Sequence, residues 1–180
     1  MEPSFSHQLA ALLPRLGRFA LVLTRDRSEA DDLTQATCER ALSHTDQWQP
    51  GTRLDSWMFR IMQTIWLNHL RARKVREAHA ESTPPAAEAS DAAERALLAR
   101  LELGHVAATV MRLPEELRVV LVLVCVEGLT YREAADIAGI PIGTVMSRLA
   151  RARLTLVAAA GEVSENPASN VVRMTSTWQP

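Results

Sequence analysis

Residues 129–153 read LTYREAADIAGIPIGTVMSRLARAR and carry the local signals that predict the structure of the C-terminal part of the chain. Thr130 followed by Glu133 is the pattern of a capping box, which predicts a helix that begins at this threonine. Gly139 tolerates the left-handed backbone that a tight connection requires, and Pro141 prevents the first helix from continuing. The pattern therefore predicts two short helices joined by a tight turn, a helix-turn-helix.

The second helix of this motif has two contrasting faces. Val145, Leu149 and Ala152 recur at helical spacing and are predicted to face a core. The opposite face carries polar and basic side chains that can reach base edges and phosphates in the major groove of DNA. These residues are Thr144, Ser147, Arg148 and Arg151. A plain helical hairpin with a solvated arginine face is the alternative interpretation of the same pattern.

Charge is segregated along the chain, although the formal net charge is only −1. Residues 26–39 and 77–103 each carry a net charge of −4, whereas residues 53–76 carry +5 and residues 141–155 carry +3. Nineteen of the twenty basic residues are arginine, whose planar guanidinium suits contacts with phosphates and bases. Two basic stretches separated by an acidic one indicate two elements that face nucleic acid. Two solvated helix faces are the alternative.

Helical signals run through almost the whole sequence, and no stretch alternates with the period of a strand. Ser28 and Thr52 are each followed by an acid three residues later, which predicts two further capping boxes. Pro114 opens another helix that Gly128 ends, although the β-branched residues between them favour a strand. We therefore predict an all-α fold with two small helical domains, a helical bundle and the helix-turn-helix, joined by a flexible linker.

The domain boundaries follow from composition. Residues 77–93 are rich in Ala, Ser, Pro and acids and poor in large apolar groups, which is typical of a flexible linker. The predicted domains are residues 1–76 and residues 94–158, and a helix is predicted to begin near Asp91. Residues 159–180 are predicted to form a disordered tail.

The composition argues against a membrane protein, a secreted protein and an enzyme. The longest apolar run, Val119–Val126, has eight residues, whereas about 20 are needed to span a bilayer. The N-terminus MEPSFSHQLA lacks a secretory signal, which predicts a soluble, cytoplasmic protein. Cys38 and Cys125 lie in apolar patterns, and we predict buried side chains rather than a disulfide or a zinc site. The sequence predicts no metal site, no cofactor and no catalytic motif.

Two longer stretches resemble a known family. LPEELRVVLVLVCVEGLTYREAADIAGIPIGTVMSRLARARL, which contains the helix-turn-helix, resembles region 4 of the extracytoplasmic-function (ECF) group of bacterial sigma factors. LTRDRSEADDLTQATCERAL and RLDSWMFRIMQTIWLNHLRARKVR are similar to region 2 of the same group. The similar stretches cover residues 16–76 and 94–156 and occur in the family's order.

The resemblance implies a dissociable initiation subunit of bacterial RNA polymerase that has no catalytic activity of its own. It implies that region 2 binds the core polymerase through an exposed acid-amide row on one helix, formed by Asp32, Gln35 and Glu39. It also implies that members of the family are commonly held inactive by an anti-sigma factor. An anti-sigma factor is therefore an expected partner, together with core polymerase and promoter DNA.

The resemblance further implies two contacts with the promoter. The loop Trp48–Leu54 and the next helix would capture the unpaired non-template strand of the −10 element. The residues assigned to this strand are Trp48, Arg60 and Asn68 for bases, and Arg71, Arg73 and Lys74 for phosphates. Region 4 would bind the duplex −35 element through Thr144, Ser147, Arg148 and Arg151.

The sequence departs from the family pattern at a few positions. Thr64 stands where many members have asparagine, and Met146 and Ala150 stand where basic or aromatic residues are common. Trp57 occupies an apolar position and is predicted to be a core residue. Trp66 fits either a core position or a contact with the −10 strand.

Two other functions are compatible with the residues: a stand-alone helix-turn-helix regulator that binds duplex DNA, and an interaction scaffold whose apolar helices dock a regulator.

Overall fold

The computed structural model describes residues 5–49, 51–79 and 104–164, and every regular element in these ranges is helical. The predicted all-α fold is therefore confirmed. The helices are α1 (Phe5–Thr24), α2 (Arg27–Ser43), α3 (Leu54–His79), α4 (Gly104–Arg112), α5 (Glu115–Leu121), α6 (Tyr131–Ala138) and α7 (Ile142–Ser164). A 3-10 turn at Thr45–Gln47 precedes α3, and a π-helical turn at Val122–Val126 continues α5.

The N-terminal helices α1–α3 form one bundle with an aromatic centre. Phe19 of α1 and Phe59 of α3 are fully buried and meet edge to face, with ring centroids 5.1 Å apart. Leu33 and Ala41 place the apolar face of α2 in the same core. Met58 and Met62 of α3 are fully buried in the same core, because apolar residues recur every three or four positions along this part of the helix.

Two of the predicted helix starts are wrong. The carboxylate of Asp26 accepts a hydrogen bond from the Glu29 N–H at 2.8 Å, so Asp26 rather than Ser28 is the N-cap of α2. Aspartate caps a helix as well as serine does, and the extended backbone at Asp26 suits the role. The hydroxyl of Thr52 instead donates to the Gln49 carbonyl at 2.7 Å and closes the turn before α3.

Pro114 and Gly128 bound one continuous helical stretch, as predicted, and the β-branched residues between them do not form a strand. Its last turn is wider than an α-helix. The Glu127 N–H donates to the Val122 carbonyl five residues earlier, at 2.9 Å, which is the hydrogen bond of a π turn. Gly128 then ends the helix with a φ of 69°, a conformation that favours glycine.

Both cysteines are free thiols. Cys38 is half-buried in α2, and this burial, with the negative charge of Glu39, raises the pKa of its thiol. Cys125 is exposed near the end of the π turn, so the prediction of a buried side chain is wrong for this residue. Across the part of the chain that the structure describes, no helix is long and apolar enough for a bilayer, and no acidic, cysteine or histidine cluster could hold a metal ion.

The helix-turn-helix forms as the sequence predicts. The hydroxyl of Thr130 accepts the Glu133 N–H at 3.2 Å, and the Glu133 carboxylate accepts the Thr130 N–H at 2.7 Å. These two bonds complete the capping box of α6. Gly139 ends α6 with a φ of 65°, and Val145 and Leu149 of α7 are buried in the core.

The C-terminal helices α4–α7 pack against the N-terminal bundle, and one apolar core runs through both groups. Arg118 is buried at this contact, where its guanidinium donates to the Val22 carbonyl at 2.7 Å and to the Leu113 carbonyl at 2.9 Å. Burial, reinforced by the positive charge of Arg25, lowers the pKa of Arg118 to about 10. Arg118 therefore stays protonated at neutral pH and joins α1 to the start of α5.

Two helices continue beyond the predicted boundaries. α3 extends to His79, into the predicted linker, and α7 extends to Ser164, into the predicted tail. An alanine-rich sequence favours this continuation of α7, because alanine has the highest helix propensity. The rest of the predicted linker, the helix predicted near Asp91 and the last residues of the tail lie in 80–103 and 165–180, outside the described residues.

Candidate nucleic-acid interface

The C-terminal end of α3 presents an exposed basic surface, which we call the α3 basic end. It consists of Arg71, Arg73, Lys74 and Arg76. The guanidinium of Arg71 donates to the side-chain carbonyl of Asn68 at 2.8 Å. One turn earlier the hydroxyl of Thr64 donates to the backbone carbonyl of Arg60 at 2.8 Å, so Thr64 is bonded to its own helix. The structure thus brings four of the six residues predicted for the −10 strand to one end of one helix.

The start of α3 is covered by α6. The Glu133 carboxylate accepts a hydrogen bond from the Ser56 hydroxyl at 3.3 Å and lies 3.4 Å from the Arg53 guanidinium. The Arg60 guanidinium lies 3.8 Å from the Asp136 carboxylate, and both side chains are more than half exposed. Arg60, which the sequence assigned to the −10 strand, is therefore adjacent to an acid of the helix-turn-helix. No local sequence pattern indicates either pairing.

Two carboxylates at this contact are held in the ionised form. Burial acts to raise the pKa of Asp55, but hydrogen bonds from Arg53 and a backbone N–H, together with the charge of Arg15, hold that pKa below its usual range. Burial is also outweighed at Glu133, where the N–H and hydroxyl of Thr130 and the charge of Arg53 lower the pKa. Both groups are charged at neutral pH and can retain their arginine contacts.

Glu127 joins the two groups of helices from the end of the π turn. Its side chain is only 1% exposed, and its carboxylate accepts a hydrogen bond from the Arg15 Nε at 2.6 Å. Arg15 also lies 3.1 Å from Asp55 and over the ring of Phe59. Because a buried charge must be paired to be tolerated, Glu127 depends on Arg15 and on Arg18, whose guanidinium lies 3.8 Å from the other carboxylate oxygen. Sequence reasoning missed the pair of Arg15 and Glu127, whose members are 112 residues apart.

The second helix of the helix-turn-helix carries most of its predicted DNA contacts on its solvent side. Ser147 and Arg151 are exposed, and the Ser147 hydroxyl donates to the Thr144 carbonyl at 3.1 Å. Arg148 instead turns towards α5, where its guanidinium lies 3.4 Å from the Glu116 carboxylate. The structure brings Thr144, Ser147 and Arg151 together and leaves Arg148 at the edge of this surface.

Trp66 is a core residue at the contact between the two groups of helices. It is buried, and its indole N–H donates to the Glu115 carboxylate at 2.8 Å. Of the two interpretations that the sequence allows for Trp66, the structure supports the core position. A cleft of about 410 Å³ lies nearby between α3, α5 and α7, with Gln63, Val120 and Arg148 among its lining residues.

Trp48 lies just after the 3-10 turn and is half-buried. Its ring centroid is 5.6 Å from that of Phe5, the first residue of α1, and Phe5 is in turn 6.3 Å from Trp57. Trp57, predicted to be a core residue, is half-buried against the core. Sequence reasoning missed Phe5, because no spacing connects it to the loop that precedes α3.

The acid-amide row of α2 is exposed along its length. Asp32, Gln35 and Glu39 face solvent, and the Gln35 amide donates to the Glu39 carboxylate at 2.8 Å. The other side of α2 is buried through Leu33 and Thr37. The row is therefore a fixed surface on a packed helix, which can receive a partner that carries basic side chains.

Comparison with known families divides the chain as the two groups of helices do. Residues 105–156 match the family described as Sigma-70, region 4, and residues 9–63 match the family described as the Sigma2 domain of PhyR. The first match covers the helix-turn-helix and the helices before it. The second covers most of α1, the whole of α2 and the first part of α3, and it ends before the α3 basic end.

Individual relatives are similar over most of the chain. The protein described as ECF RNA polymerase sigma factor EcfG, from Rhodopseudomonas palustris (strain TIE-1), is 34% identical over 158 residues, which cover 88% of this chain and 86% of the relative. The structure of the sigma factor RpoE with the anti-sigma factor NepR, from Bartonella quintana, has a TM-score of 0.67 and 28% identity, covering 87% of this chain and 96% of that one.

A second solved structure is that of CnrH in complex with the cytosolic domain of CnrY. It has a TM-score of 0.59 and 28% identity, and it covers 88% of each chain. CnrH from Cupriavidus metallidurans is described as an RNA polymerase sigma factor. The similarity to these proteins therefore includes both groups of helices and is not limited to the helix-turn-helix.

Proposed function

Because this chain belongs to the extracytoplasmic-function group of RNA polymerase sigma factors, which direct promoter-specific initiation of transcription, we propose which surface of the chain performs each step. The acid-amide row of α2 docks on core polymerase. The exposed face of α7 binds the duplex −35 element, and α3 captures the unpaired non-template strand of the −10 element. The chain acts in the cytoplasm as two domains joined by a linker. The predicted domains, residues 1–76 and 94–158, are extended by the observed ends of α3 at His79 and of α7 at Ser164.

The observation that carries this proposal is the presence of two exposed basic surfaces on different helices. The α3 basic end lies on the N-terminal bundle, and Arg151 lies on the solvent side of the helix-turn-helix. Each surface alone makes few contacts with DNA. When both are attached to one polymerase, the second contact becomes intramolecular, so that avidity replaces high affinity of either surface.

On the −35 element, α7 enters the major groove with its N-terminal half. Thr144 and Ser147 offer hydroxyl groups to base edges or phosphates, and Arg151 reaches a phosphate or a guanine edge. The capping box of α6 and the left-handed turn at Gly139 fix α7 relative to the core. Arg148 joins these contacts after it leaves Glu116, whose side chain is half exposed.

On the −10 element, α3 and the loop before it contact a single strand. The α3 basic end binds consecutive phosphates, and Asn68, held by Arg71, faces a base edge. The indole of Trp48 provides an aromatic surface on which an unpaired base stacks. Arg60 contributes once Asp136 has moved away from it.

The arrangement of the two groups of helices has a consequence for promoter binding. Acids of the C-terminal helices contact donors of the N-terminal bundle. Two of those donors are Arg53, just before α3, and Arg60, in its second turn. A DNA strand that runs along the whole of α3 must displace these acids. Docking on polymerase therefore has to separate α6 from α3 before the −10 strand can occupy the start of the helix.

Control by an anti-sigma factor is part of the proposal. RpoE was solved with the anti-sigma factor NepR, and CnrH with the cytosolic domain of CnrY. This chain is similar to both proteins over more than four-fifths of its length. An anti-sigma factor of this kind would hold the chain away from polymerase until a signal releases it.

The experiment that tests the proposal is run-off transcription with purified core polymerase and a library of promoter sequences. We expect the chain to confer initiation on a subset of templates that share two short elements one spacer apart. A stand-alone helix-turn-helix regulator predicts a different result: tight duplex binding by the chain without polymerase, and no start-site selection. That result would contradict the proposed function.

A further inference from the structure

Three aromatic side chains from three separate elements meet at the surface of the N-terminal bundle. Phe5 begins α1, Trp48 follows the 3-10 turn, and Trp57 lies in the first turn of α3. The Phe5 ring is tilted by 52° to the Trp48 indole and by 70° to the Trp57 indole, so neither pair is stacked. All three side chains are half-buried, which places the cluster at the boundary between core and solvent.

The indole of Trp48 is incompletely satisfied in this packing. Its N–H is buried, and it donates to no acceptor within the described residues. A buried donor without an acceptor destabilises the arrangement that contains it. An unpaired nucleobase offers a flat face that can stack on this indole, which the tilted Phe5 ring does not do.

We infer that Phe5 is a placeholder for a base on Trp48: its ring covers the indole until an unpaired base of the non-template strand replaces it. The inference rests on the proposed function, which directs the −10 strand along the loop before α3. The other two phenylalanines cannot play this role, because Phe19 and Phe59 are fully buried against each other.

The position of Phe5 suits a side chain that leaves and returns. It is the first residue of α1, and helix ends open at lower cost than helix interiors do. In the absence of DNA, its ring shields the indole from water and from unrelated aromatic ligands. During promoter melting, the contacts of the Phe5 ring are lost while base stacking is gained, so Phe5 lowers the net affinity for the melted strand.

The test uses holoenzyme assembled from core polymerase and the full chain, with forked promoter DNA taken from the run-off selection. We expect Phe5→Ala to bind this DNA about three- to tenfold more tightly than the wild type, because stacking no longer requires displacement of a ring. Phe5→Leu, which keeps an apolar cover without a ring, should show a smaller gain. Leu13→Ala removes an exposed leucine from the same helix and should leave the affinity unchanged.

A base-specific readout separates this role from a structural one. The same measurements are made on DNAs that carry one abasic residue at each unpaired non-template position in turn. For one abasic position, Phe5→Ala should bind the DNA no more tightly than the wild type does. On that same DNA, Trp48→Ala should also have the wild-type affinity, because the base that would stack on the indole is missing. A change in bundle stability alone would act equally on every DNA of the series.

The inference is overturned if Phe5→Ala binds intact forked DNA no more tightly than the wild type, or if its gain persists at every abasic position. If Phe5→Ala does not fold by circular dichroism, Phe5→Leu in the same abasic series decides the question. Failure of the proposed function is a separate result, because the wild-type chain would then give no run-off transcript with core polymerase.

Discussion

The two ends of α3 hold their arginines in opposite surroundings. At the start of the helix, Arg53 and Arg60 lie beside Glu133 and Asp136 of α6. At the other end, the α3 basic end is exposed to solvent. The difference shows that basic side chains on one helix are not equally available to a polyanion. The α3 basic end can contact DNA as the chain stands, whereas the start of the helix requires α6 to move.

The largest effect on stability is expected from a substitution of Arg118, which is buried at the contact between the two groups of helices. Arg118→Met removes the donor for the buried carbonyls of Val22 and Leu113, whereas the Met111 carbonyl keeps its hydrogen bond from Arg25. We expect the free energy of unfolding to fall by about 4 kcal/mol. Chemical denaturation followed by circular dichroism measures this loss. An equally stable variant would show that Arg118 does not hold the groups together.

The α3 basic end should dominate affinity for the melted strand. Replacing Arg71, Arg73 and Lys74 together with Ala should cost about 3 kcal/mol of binding and reduce the salt dependence by about two units on a log–log scale. Filter binding of holoenzyme to forked DNA at several salt concentrations measures both values. Arg40→Ala, which removes an exposed arginine from α2, is the matched control and should change neither. An unchanged salt slope in the triple variant would contradict the assignment.

The helix-turn-helix offers a similar contrast on α7. Arg151 is exposed, whereas Arg148 lies against Glu116, so the two arginines should differ in their effect on the −35 element. We expect Arg151→Ala to cost roughly 1–3 kcal/mol of promoter discrimination, and Arg148→Ala less. Competition between matched and mismatched −35 templates in run-off transcription gives these values. A larger loss for Arg148→Ala would mean that α7 turns on binding DNA.

Releasing Arg60 should have a smaller effect in the opposite direction. Asp136→Asn removes the carboxylate 3.8 Å from Arg60 and should raise the affinity of the chain for a single-stranded −10 oligonucleotide. Because the pair is solvent-exposed, the gain should not exceed about 1 kcal/mol. Asp31→Asn breaks a comparable exposed pair with Arg27 on α2 and serves as the control. If Asp136→Asn and Asp31→Asn change the affinity for the oligonucleotide equally, the Asp136 carboxylate does not restrict Arg60.

Lowering the pH should gradually weaken the ionic contacts of Asp55 and Glu133 at the start of α3. The pKa values of Asp55 and Glu133 are lowered from 3.8 and 4.5, so their contribution is complete above those values and is lost as the pH falls below them. The wild type should therefore be more stable than Glu133→Gln at pH 7 and converge with it in acid. Thermal melts of both proteins between pH 3 and 7 test this. A constant difference across the range would contradict the assignment.

Local spacing was sufficient to predict the parts of the site that a single helix forms. The capping box at Thr130, the turn at Gly139 and the α3 basic end all depend on residues a few positions apart. Two neighbouring residues can each cap a helix, and the predicted cap is wrong here, because Asp26 rather than Ser28 caps α2. The apolar run Val119–Val126 likewise did not show that Cys125 would be exposed while Val122 and Leu123 of the same π turn are buried.

The contacts between the two groups of helices could not be predicted in this way. Arg118 and Val22 are 96 residues apart, and Arg15 and Glu127 are 112 residues apart. A sequence pattern shows that these side chains are charged, but it does not show which distant partner each one meets. For the same reason Arg60 was assigned to DNA without any indication that an acid of α6 lies beside it.

In the proposed function, α7 and α3 hold duplex and melted promoter at the same time, and only on polymerase. Footprinting on one selected promoter tests it directly, with DNase I for the −35 element and permanganate for unpaired thymines of the −10 element. We predict protection and reactivity together with holoenzyme, and neither with the chain alone. Protection at −35 by the chain without polymerase, or holoenzyme that protects −35 without melting the −10 element, would contradict the account.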